Sequence, residues 1–220
     1  MLAAMRRVPL ILLPALACAL LAAAVPSPLS PLASGDGRVT ISGKVSSDSE
    51  VPLSEMVVYL ETAGGTGGDS AGAALPNVVV HQKGAKFDPA LIIISVGQTV
   101  EFHNDEEKPI EHNVFSNAPA KKFDLGLYPP PLAKSVMFDK PGAVFLYCSI
   151  HRFMDGVVYV CPTRLHSRVA PDGTYSIAGV TPGTYTLRTW QRRRRFPEKA
   201  EPLDLTDGRP RAVNLELRRP

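Results

Sequence analysis

From Arg38 onward the chain is a succession of short apolar runs, alternating or β-branched, cut by Gly, Pro, Asn and Asp. Such runs place side chains on the two faces of an extended backbone and predict β-strands. Val39-Thr40-Ile41-Ser42-Gly43-Lys44-Val45 alternates with period two, and Met56-Val57-Val58-Tyr59-Leu60 is the next strand. Ala63 to Ala74 is rich in Gly, Ala, Ser and Thr and reads as a flexible connection. A second series follows: Val78–Val80, Leu91–Ile94, Thr99–Phe102, Ser135–Phe138, Ala143–Tyr147 and Gly156–Val160. A third comprises Gly173–Ile177, Thr184–Trp190 and Ala212–Leu217. No segment carries a helical stripe, so the pattern predicts an all-β protein of many short strands.

The start of the chain departs from this pattern. Met5-Arg6-Arg7 precedes an apolar run from Val8 to Ala24 that ends in Ala22-Ala23-Ala24. A charged start, an apolar stretch and small residues form an export leader, here 1–24, which predicts a periplasmic or secreted product. A retained anchor is the alternative, although Pro9 and Pro14 interrupt the run. Cys18 sits in a poor context for lipid attachment, because more apolar sequence follows it. Residues 25–37 form a Pro/Ser/Gly linker. The chain has 24 basic and 21 acidic residues; removing Arg6 and Arg7 with the leader leaves 22 against 21. So even a balance excludes a general nucleic-acid binder. Beyond the leader two cysteines remain, Cys148 and Cys161.

One of those cysteines opens the run Cys148-Ser149-Ile150-His151-Arg152-Phe153-Met154, between two predicted strands. A second histidine, His112, lies 36 residues before Cys148. Two imidazoles, a thiolate and a weak axial thioether are the donor set of a blue-copper site. Thiolate favours Cu(I) and imidazole serves both oxidation states. Each residue also has a plainer reading. Met154 could be core packing, and a Cys148–Cys161 disulfide would suit an oxidising compartment. His103, at the end of a predicted strand, competes with His112. His81 and His166 read as surface or domain-junction residues, and Cys161 as a small buried apolar side chain.

Residues 77–162 resemble the cupredoxins, the plastocyanin-like blue-copper proteins. The likeness rests on Phe87-Asp88-Pro89, Val96-Gly97-Gln98-Thr99-Val100-Glu101-Phe102, Asn104, His112-Asn113-Val114, Phe138-Asp139-Lys140-Pro141-Gly142 and Tyr147-Cys148-Ser149-Ile150-His151. The Cys-x₂-His-x₂-Met spacing is similar to that of amicyanin. The resemblance implies a Greek-key β-sandwich holding one mononuclear type-1 copper, with His112, Cys148 and His151 as equatorial ligands and Met154 as the axial one. It also implies that the amide of Asn113 hydrogen-bonds the thiolate. The stretch Ser116 to Tyr128 looks like bacterial envelope proteins labelled methylamine-utilisation-like, which couple a cupredoxin to a second β-domain. That second domain resembles the carboxypeptidase regulatory-like (transthyretin-like) sandwiches. The likeness rests on Ile41-Ser42-Gly43-Lys44-Val45, Pro52-Leu53, Val57–Leu60, Pro171–Ile177 and Pro182–Leu187. On this reading residues 38–63 and 163–220 form one split sandwich, and the cupredoxin is inserted in it or packed beside it.

The function so implied is single-electron transfer between redox partner proteins of the cell envelope. Copper delivery, storage or sensing would use the same ligands. An envelope interaction protein with a Cys148–Cys161 disulfide in place of the metal is a third reading. A copper oxidase would need a partner metal for O₂ reduction. The candidate docking surface comprises Ile150, Arg152, Phe153, Tyr128 and Pro130; Arg152 adds a positive charge where many cupredoxins are apolar. Asp105, Glu106, Glu107 and Glu111 form an acidic group near His112, read as a solvated loop or as a steering charge for a basic partner. Arg192-Arg193-Arg194-Arg195 follows Trp190 as a solvated turn, or as a weak contact for anionic membrane or acidic protein. No phosphate cradle, Ser-His-Asp order or paired carboxylates at strand ends indicate catalysis.

Overall fold

The unbroken apolar runs and the alternating runs go to different places in the molecule. A computed structural model describes residues 37–48, 52–62 and 74–219. The expected leader 1–24, nearly all of the linker 25–37 and most of the connection 63–74 lie outside the described residues.

Among these residues the regular structure is strand, apart from one 3₁₀ turn at Leu53–Glu55. Strands β1 (Val39–Ser47), β13 (Thr174–Val180), β16 (Arg211–Ala212) and β17 (Leu215–Leu217) form one sheet, in which β1 lies beside each of the others. Strands β2 (Met56–Thr62), β12 (His166–Arg168), β14 (Thr184–Gln191) and β15 (Ala200–Asp204) form a second, in the order β12-β2-β14-β15. Ile41, Val45, Val58, Leu60, Ile177 and Leu187 fill the core these two enclose. The segment between β2 and β12 builds two further sheets. Strands β3 (Val78–Gln82), β4 (Phe87–Asp88), β6 (Gln98–Asn104) and β9 (Ala133–Phe138) run in the order β4-β3-β6-β9. Strands β5 (Leu91–Ser95), β7 (Phe115–Ala118), β8 (Lys121–Asp124), β10 (Gly142–Tyr147) and β11 (Asp155–Cys161) run β5-β11-β10-β7-β8. Val80, Phe102, Phe138, Val144, Leu146 and Val158 lie in their shared core. The protein is an all-β assembly of sandwiches, and one sandwich interrupts the other in sequence.

A third apolar cluster joins the two. Val57, Tyr59 and Trp190, on the outer face of the β2–β14 sheet, meet Leu91, Val157, Tyr159 and Cys161 on the outer face of the β5–β11 sheet. The Tyr159 and Trp190 rings stack with centroids 4.2 Å apart. Strands β2 and β11 are therefore covered on both faces. That is why Met56–Leu60 and Val157–Cys161 are unbroken apolar runs, whereas β13 alternates buried and exposed.

Several strands escape the hydrophobic pattern. β7 and β8 form a polar hairpin, β4 and β12 are two and three residues long, and β15 is an exposed edge carrying Pro202. The expected single strand Ala212–Leu217 is broken. At Val213–Asn214 the chain crosses Gly43: Val213 N–H donates to Ser42 O (2.8 Å), and Asn214 Oδ1 accepts from Lys44 N–H (2.9 Å).

Candidate metal centre

The β10–β11 hairpin pairs six rungs from Gly142↔Val160 to Tyr147↔Asp155, and the loop beyond its last rung is Cys148–Met154. A hairpin loop of this length brings residues i, i+3 and i+6 back over its own mouth. Cys148 is buried at 5% exposure, Met154 is fully buried in the same core cluster, and His151 is half-buried between them in sequence. The Met154 N–H donates to His151 O (3.0 Å), which closes the turn.

His112 comes from another part of the sandwich and is completely buried. Its backbone forms a two-way bridge with Tyr128: His112 N–H to Tyr128 O (3.2 Å) and Tyr128 N–H to His112 O (2.9 Å). Tyr128 is itself fixed by Gln82, whose side-chain N–H donates to the phenol, and the phenol donates to Phe102 O (3.2 Å). Next to His112, the Asn113 carbonyl accepts from Ser149 N–H (2.7 Å) and Ser149 Oγ (3.0 Å), while its amide N–H donates to Asp124 (3.1 Å). This side chain sews the residue after Cys148 to the residue after His112, so the two donor segments cannot drift apart.

The result is one cluster of three potential ligand atoms within 4.8 Å of one another: His112 Nδ1, Cys148 Sγ and His151 Nδ1. Cys148 Sγ lies 3.9 Å from His112 Nδ1 and 3.7 Å from His151 Nδ1. Bonds of about 2.3 Å to sulfur and about 2.0 Å to nitrogen in a trigonal arrangement set S and N roughly 3.7 Å apart. The donor set and its spacing thus fit a small transition-metal ion such as copper or zinc. Behind the cluster, His112 Nε2 meets Glu106 Oε1 at 2.9 Å. A carboxylate there accepts a hydrogen bond from Nε2–H and so leaves the Nδ1 lone pair facing Cys148, as metal-binding histidines require. The His112 bond, assisted by the Ala85 and Gly84 backbone amides, holds the Glu106 carboxyl below its ordinary range. Glu106 belongs to the acidic group read from sequence as solvated or steering. Its role behind His112 has no spacing rule that sequence could have shown.

The rivals fall elsewhere. His103 pairs with Glu101 (3.2 Å), and His81 pairs with Asp105. Cys161 lies seven residues along β11 from Met154, so at about 3.3 Å per residue it is roughly 20 Å from the loop. Both cysteines are free and buried, and the Cys161 thiol is pushed up by burial. A disulfide needs Cα atoms within about 7 Å, so the Cys148–Cys161 bridge is excluded.

The loop residues that flank His151, namely Ser149, Ile150, Arg152 and Phe153, are all exposed. Phe153 is 94% exposed, and Ile150, Leu127 and Leu132 are also exposed; Arg152 lies among them in sequence. Tyr128, expected on this docking rim, is instead buried, because its ring packs in the core and its hydroxyl is satisfied inside. Pro130 is half-buried, between the exposed Pro129 and Pro131.

No known family profile matches the sequence, and no curated protein is recognisably similar to it. Solved structures do show partial likeness. A purple cupredoxin from Nitrosopumilus maritimus aligns at 24% identity and a TM-score of 0.35, covering 38% of this chain and 99% of its own. A reduced amicyanin mutant aligns at 24% identity and a TM-score of 0.35, covering 47% of this chain and 99% of its own. An oxidised amicyanin mutant aligns at 21% identity and a TM-score of 0.35, covering 49% of this chain and 99% of its own.

Proposed function

We propose that the chain is an exported blue-copper protein that passes single electrons between redox proteins of the cell envelope. The observation that carries this reading is the convergence of His112 Nδ1, Cys148 Sγ and His151 Nδ1 at trigonal spacing, backed by Glu106 on the far nitrogen of His112. Copper bound there supplies a one-electron Cu(I)/Cu(II) couple. Cys148 would contribute the soft anionic donor, and Met154, buried in the same core cluster, would offer a weak thioether donor that tunes the potential. Asn113, Tyr128 and Glu106 hold the donors in place, so that little has to move when the oxidation state changes. Burial of Cys148 and Met154 keeps water away, while the half-buried His151 provides the edge through which an electron enters from one partner and leaves to the next. The exposed Phe153 and Ile150, which flank His151 in the loop, give that edge an apolar rim, and Arg152 biases docking toward a partner with an acidic face. The leader 1–24 accounts for export.

Adding Cu(II) to the purified protein is expected to give an intense visible charge-transfer band that Cys148→Ser abolishes. Met154→Leu is expected to keep the copper and the band but shift the potential. Copper uptake with no visible band would sink the reading. A band accompanied by slow electron self-exchange and ready loss of Cu(I) to a chelator would favour copper delivery.

A further inference from the structure

Trp190 stacks on Tyr159 across the seam, and two residues on, just past the end of β14, the chain reaches Arg192. β14 pairs with β2 up to Gln191↔Met56, so Arg192 falls beside Glu55, the last residue of the 3₁₀ turn before β2. Its N–H donates to Glu55 O (3.1 Å) and its Nη1 to Glu55 Oε1 (2.9 Å); Arg193 Nε takes the other Glu55 oxygen (3.1 Å). The remaining arm of the fork crosses to the other sandwich. There Nη2 donates to the Asp155 carboxylate and lies 3.4 Å from the Asp155 carbonyl.

Asp155 is the residue after Met154, and Tyr147↔Asp155 is the last rung before the loop that carries Cys148, His151 and Met154. The Tyr147 ring rests on Phe115 (5.7 Å between centroids), which fastens one side of this neck within the inserted sandwich. The other side is gripped from outside, by an arginine whose own side chain is only 12% exposed. A guanidinium fork that binds two carboxylates and a carbonyl fixes direction as well as distance, which a lysine cannot do.

We infer that Arg192 is a positioning residue for the metal loop: by holding Asp155 from the split sandwich it fixes the neck of the loop and hence the seat of Met154. This inference rests on the blue-copper reading for its effect on copper, but not for its effect on the loop. It assigns the split sandwich a role in setting the properties of a site to which it contributes no ligand. It also takes Arg192 out of the exposed arginine run; Arg193, Arg194 and Arg195 remain at the surface.

The test uses the full chain with Arg192→Gln, Arg192→Lys and, as a control, Arg194→Gln. In the metal-free protein, Arg192→Gln should raise amide exchange at Met154 and its neighbours by about tenfold while the strands of both cores keep their protection. In the copper-loaded protein it should shift the midpoint potential and the relative band intensities. Arg192→Lys, which keeps the charge without the fork, should reproduce most of both changes, and Arg194→Gln neither. Unchanged exchange and potential in a folded Arg192→Gln protein would overturn the inference. So would a potential shift that Arg192→Lys restores with exchange unaltered, because charge alone would then be acting. If Arg192→Gln does not fold, Asp155→Ala removes the same bond from the solvent side and should loosen the same amides. A wild-type protein without a visible band would remove the blue-copper reading and leave the exchange result to decide the clamp.

Discussion

At the scale of single residues, the site divides into donors set by local spacing and supports set by the fold. Cys148, His151 and Met154 share one loop, so their proximity is a property of the sequence. His112 is reached only by knowing that two strand ends meet. Glu106 is less accessible still: it lies six residues before His112, and only the turn that Asn104 Oδ1 and Ala85 N–H impose brings its carboxylate behind the ring. Tyr128 shows the opposite failure. An aromatic among prolines reads as surface, yet Gln82 and Phe102 give its hydroxyl two internal partners, and the ring can be buried without loss. Glu106→Gln keeps the shape and removes the charge that fixes the His112 tautomer. Copper affinity should fall by about 10–100-fold, as competition against a chelator would measure, with the fold unchanged. Unaltered affinity would mean that the carboxylate only fills space.

At the scale of elements, legibility follows burial. Strands with one or both faces in a core were visible as alternation or as continuous apolar runs. Those whose pairing is mostly backbone, such as β7, β8 and β15, offered no pattern. The break between β16 and β17 has a specific cause in β1. A Cβ on Gly43 would meet Val213 O at 1.8 Å, and that carbonyl already accepts from Tyr175 Oη (2.6 Å). Glycine at this position thus allows a neighbouring backbone to cross at close range and the sheet to change partners from β16 to β17. Gly43→Ala must push apart main chain rather than a flexible side chain, so its cost should reach the upper end of overpacking, about 3 kcal/mol. Denaturant unfolding would show this as a lowered midpoint, whereas the copper spectrum of the folded fraction should be that of the wild type. A neutral Gly43→Ala would show that the crossing strand moves freely.

At the scale of the whole molecule, the stacking of one sandwich on the other is what sequence reading did not supply. The resemblances separated the two kinds of strand, but they did not say which outer faces would meet; only the unbroken runs Met56–Leu60 and Val157–Cys161 carried that information. The seam they form is apolar in its middle and polar at its borders. At one border Arg192 joins Asp155. Elsewhere Arg168 donates to Leu91 O (2.5 Å) and to Ser54 O (3.0 Å), and His166 Nε2 meets Ser95 Oγ at 3.2 Å. Burial lowers the pKa of His166 below its ordinary 6.5, so the folded chain disfavours the imidazolium that an unfolded chain accepts. The sign follows directly: a depressed pKa contributes stability that is complete above about pH 6.5 and is lost as pH falls through the lower folded value. The metal-free chain should therefore weaken as pH falls below about 6.5, and His166→Gln should remove part of that slope while changing stability little at neutral pH. Denaturant midpoints of the two proteins across this range would measure it. Parallel curves would mean that the seam opens enough to hydrate His166 before it takes up its proton.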